Sequence, residues 1–235
     1  VRIVLLAVLI ALPALADERR SGYDYMRPET RAMQDDELGN PGMLAVMEGE
    51  ALWRRYGCQR CHQGMSGVAA RYPATDAKHG LINLEQRINL CRTERQQAAS
   101  LPYESRELLA LTSFVANQSR GQPIRISAEG QALERGRAAF YLRQGQVNLA
   151  CANCHEQNSG KRLAGNAIPQ AHPTGYPLYR LEWQAVGSLQ RRLRNCLTGI
   201  RAETPAYGAS ELVELELFLM WRANGMALES PGVRP

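Results

Sequence analysis

The chain has 235 residues, 45% apolar and 22% charged, with a formal net charge of +5, enough for two small domains of ordinary globular composition. Nearly all of the positive charge is arginine, the only lysines being Lys78 and Lys161, and arginine suits planar, bidentate binding of anionic ligands or an acidic partner. No basic run is interleaved with aromatics, so nucleic acid is set aside as a partner.

Arg2, the apolar run Ile3 to Leu12 and Pro13-Ala14-Leu15-Ala16 read as a secretory signal, residues 1–16, cleaved after Ala16. The run is short for a bilayer span and no other stretch is as apolar, so export without stable membrane insertion is expected. Residues 17–42 form an extension. It is rich in charge, lacks a periodic apolar face and carries turns at Arg27-Pro28-Glu29 and Asn40-Pro41-Gly42; it either wraps a domain or partner or remains a linker.

From Met43 the pattern is helical, with Gly49 and Trp53 four apart on one face, which lets a second helix approach closely. Cys58-Gln59-Arg60-Cys61-His62 follows. Two thiols three positions apart and an adjacent imidazole are the spacing that attaches c-type haem: both thiols reach the vinyl groups of one porphyrin while the histidine binds the iron. Next come Leu84-Glu85-Gln86-Arg87-Ile88-Asn89-Leu90-Cys91 and the amphipathic stretch Tyr103-Glu104-Ser105-Arg106-Glu107-Leu108 with Leu111, Phe114 and Val115. Gly121-Gln122-Pro123 closes this half. Ser127 then reads as the cap of a new helix, which puts a boundary near residue 125.

The second half repeats the first. Gly136 and Phe140 precede Cys151-Ala152-Asn153-Cys154-His155, Leu189-Gln190-Arg191-Arg192-Leu193-Arg194-Asn195-Cys196 matches the stretch ending in Cys91, and Tyr207-Gly208-Ala209-Ser210-Glu211-Leu212 leads into Leu215, Phe218 and Leu219. In these last stretches Tyr103, Glu107, Leu108, Leu111 and Phe114 recur as Tyr207, Glu211, Leu212, Leu215 and Phe218 at one constant offset, which marks an internal duplication. A zinc or redox CxxC pair is the other reading of one CxxCH, but two copies on an exported chain favour two covalently bound haem c groups. The fold expected is mainly α, with two class I cytochrome c-like domains in tandem, residues 43–125 and 126–235.

In a class I cytochrome c the stretch between the haem motif and the last helix supplies the sixth iron ligand, normally methionine. Here Cys91 and Cys196 stand there. Met65 is almost against His62, Met220 is inside the last helix and Met226 follows it, while His79 and His172 are not equivalent in the repeat and read as loop residues. A disulfide between Cys91 and Cys196 is the alternative; it would leave both irons without a matched ligand. Thiolate ligation would stabilise ferric iron and lower the potential.

These residues resemble the SoxA family, dihaem subunits of the SoxAX cytochrome; the resemblance rests on the paired CxxCH motifs, the Leu84–Cys91 stretch and above all Gln190–Cys196 before Arg201-Ala202-Glu203. It implies an L-cysteine S-thiosulfotransferase that pairs with a SoxX-like cytochrome c and conjugates thiosulfate to a cysteine of a SoxYZ-like carrier in the periplasm. It implies haem held by Cys58 and Cys61 with His62 and Cys91 axial, and by Cys151 and Cys154 with His155 and Cys196 axial. The second site would be catalytic, Cys196 often a persulfide, and Arg192 the substrate-binding residue. The residues by themselves leave two roles open for Arg192, because Arg87 holds the same place before Cys91: thiosulfate binding, or neutralising a thiolate or haem propionate. Two other functions also stay open, a thiosulfate dehydrogenase forming tetrathionate and a pure electron-transfer dihaem cytochrome.

Overall fold

Two helix crossings, each built on a glycine, set the architecture of the computed structural model, which describes residues 19–235. The expected signal peptide lies outside the described residues. The extension forms a 3-10 turn, Gly22–Tyr25, and helix α1 (Pro28–Asp35). Helix α2 (Gly42–Arg55) delivers the chain to the first CxxCH, which opens on the short 3-10 turn Cys58–Arg60. A small hairpin, β1 (Ala74–Asp76) and β2 (Gly80–Ile82), leads to α3 (Leu84–Leu90), a π-helical turn at Cys91–Arg95, and α4 (Arg106–Asn117).

The second half follows the same order. Helix α5 (Gln131–Tyr141) precedes α6 (Cys151–His155), which is the second CxxCH itself. Two hairpins come next, β3 (Arg162–Leu163) with β4 (Asn166–Ala167) and β5 (Leu178–Arg180) with β6 (Ala185–Gly187), then α7 (Leu189–Gly199), α8 (Ser210–Arg222) and a last strand β7 (Gly232–Arg234) that joins β5 in parallel.

A Cβ on Gly49 would lie 2.0 Å from the carbonyl oxygen of Ala110, and one on Gly136 would lie 2.0 Å from that of Glu214. Only a bare backbone lets α2 cross α4, and α5 cross α8, this closely. Beside each crossing one ring pair packs in the same way: Trp53 and Phe114 at 5.7 Å and 53°, Phe140 and Phe218 at 5.5 Å and 53°. The repeated glycine and aromatic of the sequence are therefore one packing unit used twice. A single buried cluster runs through both halves, from Leu84 and Val115 to Phe140, Leu193 and Phe218. At the join the equivalent tyrosines Tyr103 and Tyr207 stack at 5.8 Å and 13°.

The helices that carry the late cysteines are capped alike. Asn83 Oδ1 accepts the Gln86 amide at 2.9 Å while Gln86 Oε1 accepts the Asn83 amide at 3.0 Å, and Ser188 Oγ accepts the Arg191 amide at 3.1 Å. Ser127, in contrast, caps nothing: α5 starts at Gln131 behind Gly130, whose φ is +81°. The Asn224 side chain holds the preceding backbone extended, accepting from Ile126 N at 2.6 Å and donating to Ile126 O at 3.0 Å.

The described part of the extension wraps the chain's other end. Gln34 Oε1 accepts from Val233 N at 2.9 Å and from the Arg234 side chain, and Asn40 Nδ2 donates to Pro231 O at 3.0 Å. Arg19 reaches the carbonyls of Arg222 and Asn224 at 3.0 and 2.9 Å. Among the described residues no helix is long and apolar enough to cross a membrane.

Candidate haem and anion site

Helix α7 places Arg192 and Cys196 one turn apart on the same face, and that face looks into a cavity of about 510 Å³ that His155 also lines. The size is that of a small-molecule or cofactor site. His155 Nδ1 lies 2.7 Å from the carbonyl oxygen of Pro169, which can only accept, so Nδ1 carries the proton and Nε2 keeps its lone pair. Burial pulls the His155 imidazole below its ordinary pKa, which favours the neutral, metal-binding form. Burial also pushes the Cys151 thiol up to about 11 and raises that of Cys154; Cys196 lies within electrostatic reach of both. A neutral imidazole of fixed tautomer, a CxxC pair beside it and a further cysteine on the same cavity fit a haem c.

The lining of this cavity carries Arg27, Arg162, Arg180, Arg192 and Arg234 and, among the described residues, no Asp or Glu side chain. Most of these arginines are occupied. Arg162 donates to Gly165 O at 2.7 Å, and Arg234 pairs with Glu229 at 2.6 Å and with Gln34. The half-buried Arg192 side chain makes no hydrogen bond or ion pair among the described residues, although Cys196, Tyr176 and Glu182 act on its charge from a distance. Tyr176 lies close to it and is itself buried, its hydroxyl pKa raised by that burial.

The first half presents different chemistry. Its cavity of about 220 Å³ is lined by Asp76, Lys78, His79, Arg87, Cys91 and Glu94, charges of both signs. Arg87, the counterpart of Arg192, is held by Asp76 and by Tyr72 Oη at 3.2 Å, and its hydrogen bond takes the Asp76 carboxyl down to about 2. Glu94 pairs with Lys78 at 2.6 Å and with His79 Nε2 at 2.9 Å. Cys91 opens the π-helical turn, within electrostatic reach of Cys61 and Cys58. His62 is exposed, with its ring 5.6 Å from that of Trp53, and does not line this cavity.

All six cysteines are free, and Cys91 and Cys196 each lie beside the CxxC of their own half, so the alternative disulfide does not form. Met65, Met220 and Met226 pack on the core and line neither of these cavities. His172 is buried with Nδ1 2.8 Å from Arg20 O. Three residues of the second cavity escaped the sequence reading: Met26 of the extension, whose sulfur accepts from Arg234 at 3.6 Å, Tyr176 and Arg180. A signal for the last two exists, since Tyr72-Pro73-x-x-Asp76 recurs as Tyr176-Pro177-x-x-Arg180 at the offset of the repeat.

The family model for the SoxA/TsdA cytochrome c domain matches the chain twice, over residues 48–124 and 135–228. The L-cysteine S-thiosulfotransferase subunit SoxA of Pseudaminobacter salicylatoxidans is 36% identical over 93% of this chain and 82% of its own length. That of Rhodovulum sulfidophilum is 35% identical over 93% of this chain and 81% of its own. Among solved structures, SoxXA from P. pantotrophus superposes with a TM-score of 0.89 at 32% identity, covering 92% of this chain and 87% of that one. The mainly helical tandem of cytochrome c domains expected from the sequence is thus the fold.

Proposed function

The chain belongs to the SoxA/TsdA cytochrome c family and carries covalently bound haem c, and on that footing we propose that it works as an L-cysteine S-thiosulfotransferase, joining thiosulfate to a cysteine of a SoxYZ-like carrier. The reaction converts a carrier thiol and thiosulfate into a carrier S-thiosulfonate, one proton and two electrons. Two haems are proposed: one on Cys58 and Cys61 with His62 and Cys91, the other on Cys151 and Cys154 with His155 and Cys196. They supply one-electron acceptors, and a SoxX-like cytochrome c partner takes the electrons on. Thioether-bound haem agrees with the periplasm as the place of work, the chain having been exported by a cleaved signal peptide.

The observation that carries this reading is the difference between two equivalent arginines. Arg87 is neutralised by Asp76, whereas among the described residues the Arg192 side chain has no hydrogen-bond or ion-pair partner and faces a cavity that no Asp or Glu side chain lines. A desolvated guanidinium of that kind binds and orients a dianion, and holding thiosulfate beside Cys196 turns an encounter into a positioned reaction. Carried as a persulfide, Cys196 would present its outer sulfur to that anion. Kinetics with thiosulfate and carrier test the assignment: Arg192→Lys should lose most conjugation, about 100-fold on the scale of a misplaced substrate, with both haems kept, and Arg87→Lys should lose far less. Equal losses would leave both arginines structural. Full thiosulfate oxidation to tetrathionate without carrier would replace the transferase reading by a dehydrogenase.

A further inference from the structure

The two halves present the same order of elements around their late cysteines. Each has a Tyr-Pro pair, then a three-residue strand (β1 or β5), a return strand, a capping residue (Asn83 or Ser188) and a helix whose fourth residue is arginine and whose eighth position is cysteine. Register makes the third residue of each strand equivalent: Asp76 pairs across its hairpin with Gly80, Arg180 with Ala185. In the first half that position is the acid that holds Arg87. In the second it is another arginine, and the two guanidiniums repel, which together with burial lowers Arg180. An ion pair in one half has become a pair of like charges in the other.

Like charges side by side in a half-dry cavity are unfavourable unless an anion joins them. Arg180 is deeply placed, its side chain 11% exposed, and it is only partly satisfied. One nitrogen donates to Glu182 at 2.8 Å, but Glu182 is 61% exposed and faces solvent. The guanidinium lies 5.2 Å from the centre of the Trp183 ring. Its Nε is buried with no hydrogen-bond partner, although buried donors almost always have one. Arg180 and Arg192 line the same cavity as Cys196.

We propose that Arg180 is a second substrate-binding residue, and that Arg180 and Arg192 together hold the sulfonate oxygens of thiosulfate so that its outer sulfur is left free toward Cys196. The assignment rests on the transferase reading given above. It also explains why the first half cannot do the same work: there Asp76 occupies the place of the second cation.

The test is a substitution series at position 180 in the haem-loaded protein with its cytochrome partner. Arg180→Gln should raise the KM for thiosulfate about 10- to 100-fold, the worth of one charge-assisted hydrogen bond, with kcat changed less. Arg180→Asp, which rebuilds the ion pair of the first half, should be worse than Arg180→Gln, and Arg180→Lys should recover part of the loss. Glu182→Gln removes the surface partner but leaves the cation, so its KM should stay near that of the parent. Equilibrium titration of the ferric protein with thiosulfate, followed by the absorption of the haem, should weaken in the same order. A KM unchanged in Arg180→Gln overturns the proposal, as does equal damage from Glu182→Gln, which would make Arg180 a structural residue. A shifted reduction potential with unchanged thiosulfate affinity overturns it too, by making Arg180 the partner of a haem propionate. If Arg192→Lys is itself harmless the transferase reading fails; if Arg192→Lys is crippled and Arg180→Gln is not, only the second arginine is withdrawn.

Discussion

A cysteine that ends one turn beyond an arginine occurs twice in this chain, and side-chain partners separate the two. Arg87 is tied to Asp76 and Tyr72, so the thiol of Cys91 sits beside a neutralised cation. Cys196 sits beside Arg192, whose side chain makes no hydrogen bond or ion pair among the described residues. Both cysteines lie within electrostatic reach of their own CxxC pair, which places each where the proposed thiolate ligation needs it. Electron paramagnetic resonance of the ferric protein should give two low-spin His/thiolate signals, Cys91→Ala removing one and Cys196→Ala the other. Methionine-type signals untouched by either change would refute this ligation. At this scale the sequence was legible in its pattern: the two CxxCH motifs marked a tandem of cytochrome c domains. It was silent on which of the two arginines is neutralised, because that depends on Asp76 beside Arg87 and on Arg180 in the cavity of Arg192, each brought there only by the folding of a three-residue strand, β1 or β5.

Helix pairs were the most readable elements. Gly49 with Trp53 and Gly136 with Phe140 announced close crossings, and each glycine faces a carbonyl oxygen of the partner helix. Backbone cannot swing aside as a side chain can. Gly49→Ala and Gly136→Ala should therefore each cost about 1–3 kcal/mol by overpacking, read as a lowered midpoint in denaturant, while alanine at exposed Gly64, which would meet nothing within 4 Å, should cost little. If all three variants melt alike, the crossings are looser than their geometry says. The seven strands among the described residues went unread because runs of two or three residues are too short to display alternation. Ser127 misled for a different reason. It looked like a helix cap, but the tertiary bonds from Asn224 to Ile126 fix the neighbouring backbone before any helix can begin.

Across the whole molecule, the halves meet over a polar seam. Glu85 of α3 and Glu216 of α8 are buried there, and burial pushes Glu85 up to about 7 and Glu216 well above its ordinary value. Asn83 Nδ2 donates to Glu216 at 3.0 Å, Glu104 adds a further negative influence on Glu85, and Tyr103 hydrogen-bonds Asn83 at 3.1 Å. A carboxyl whose folded pKa exceeds its unfolded one binds a proton that the unfolded chain releases. Its contribution is complete below pH 4.5 and is lost as pH rises through about 7. Glu85→Gln should accordingly raise the melting temperature at pH 8 and flatten its decline between pH 5 and 8, roughly 2–4 °C for each kcal/mol in a chain of this size. Melting curves that fall in parallel for both proteins would refute the role of Glu85. The clasp between the two ends has a consequence in time. A chain made from its amino end presents Gln34 and Asn40 long before Pro231, Val233 and Arg234 exist to bind them. Residues 19–41 stay unfastened until Pro231 and Val233 have folded against them. Until then the second cavity, lined by Met26 and Arg27 at one end and by Arg234 at the other, has no complete wall. A wall built from two stretches so far apart in the sequence stays open in any partly folded chain, and the docking of β7 against β5 is what closes it.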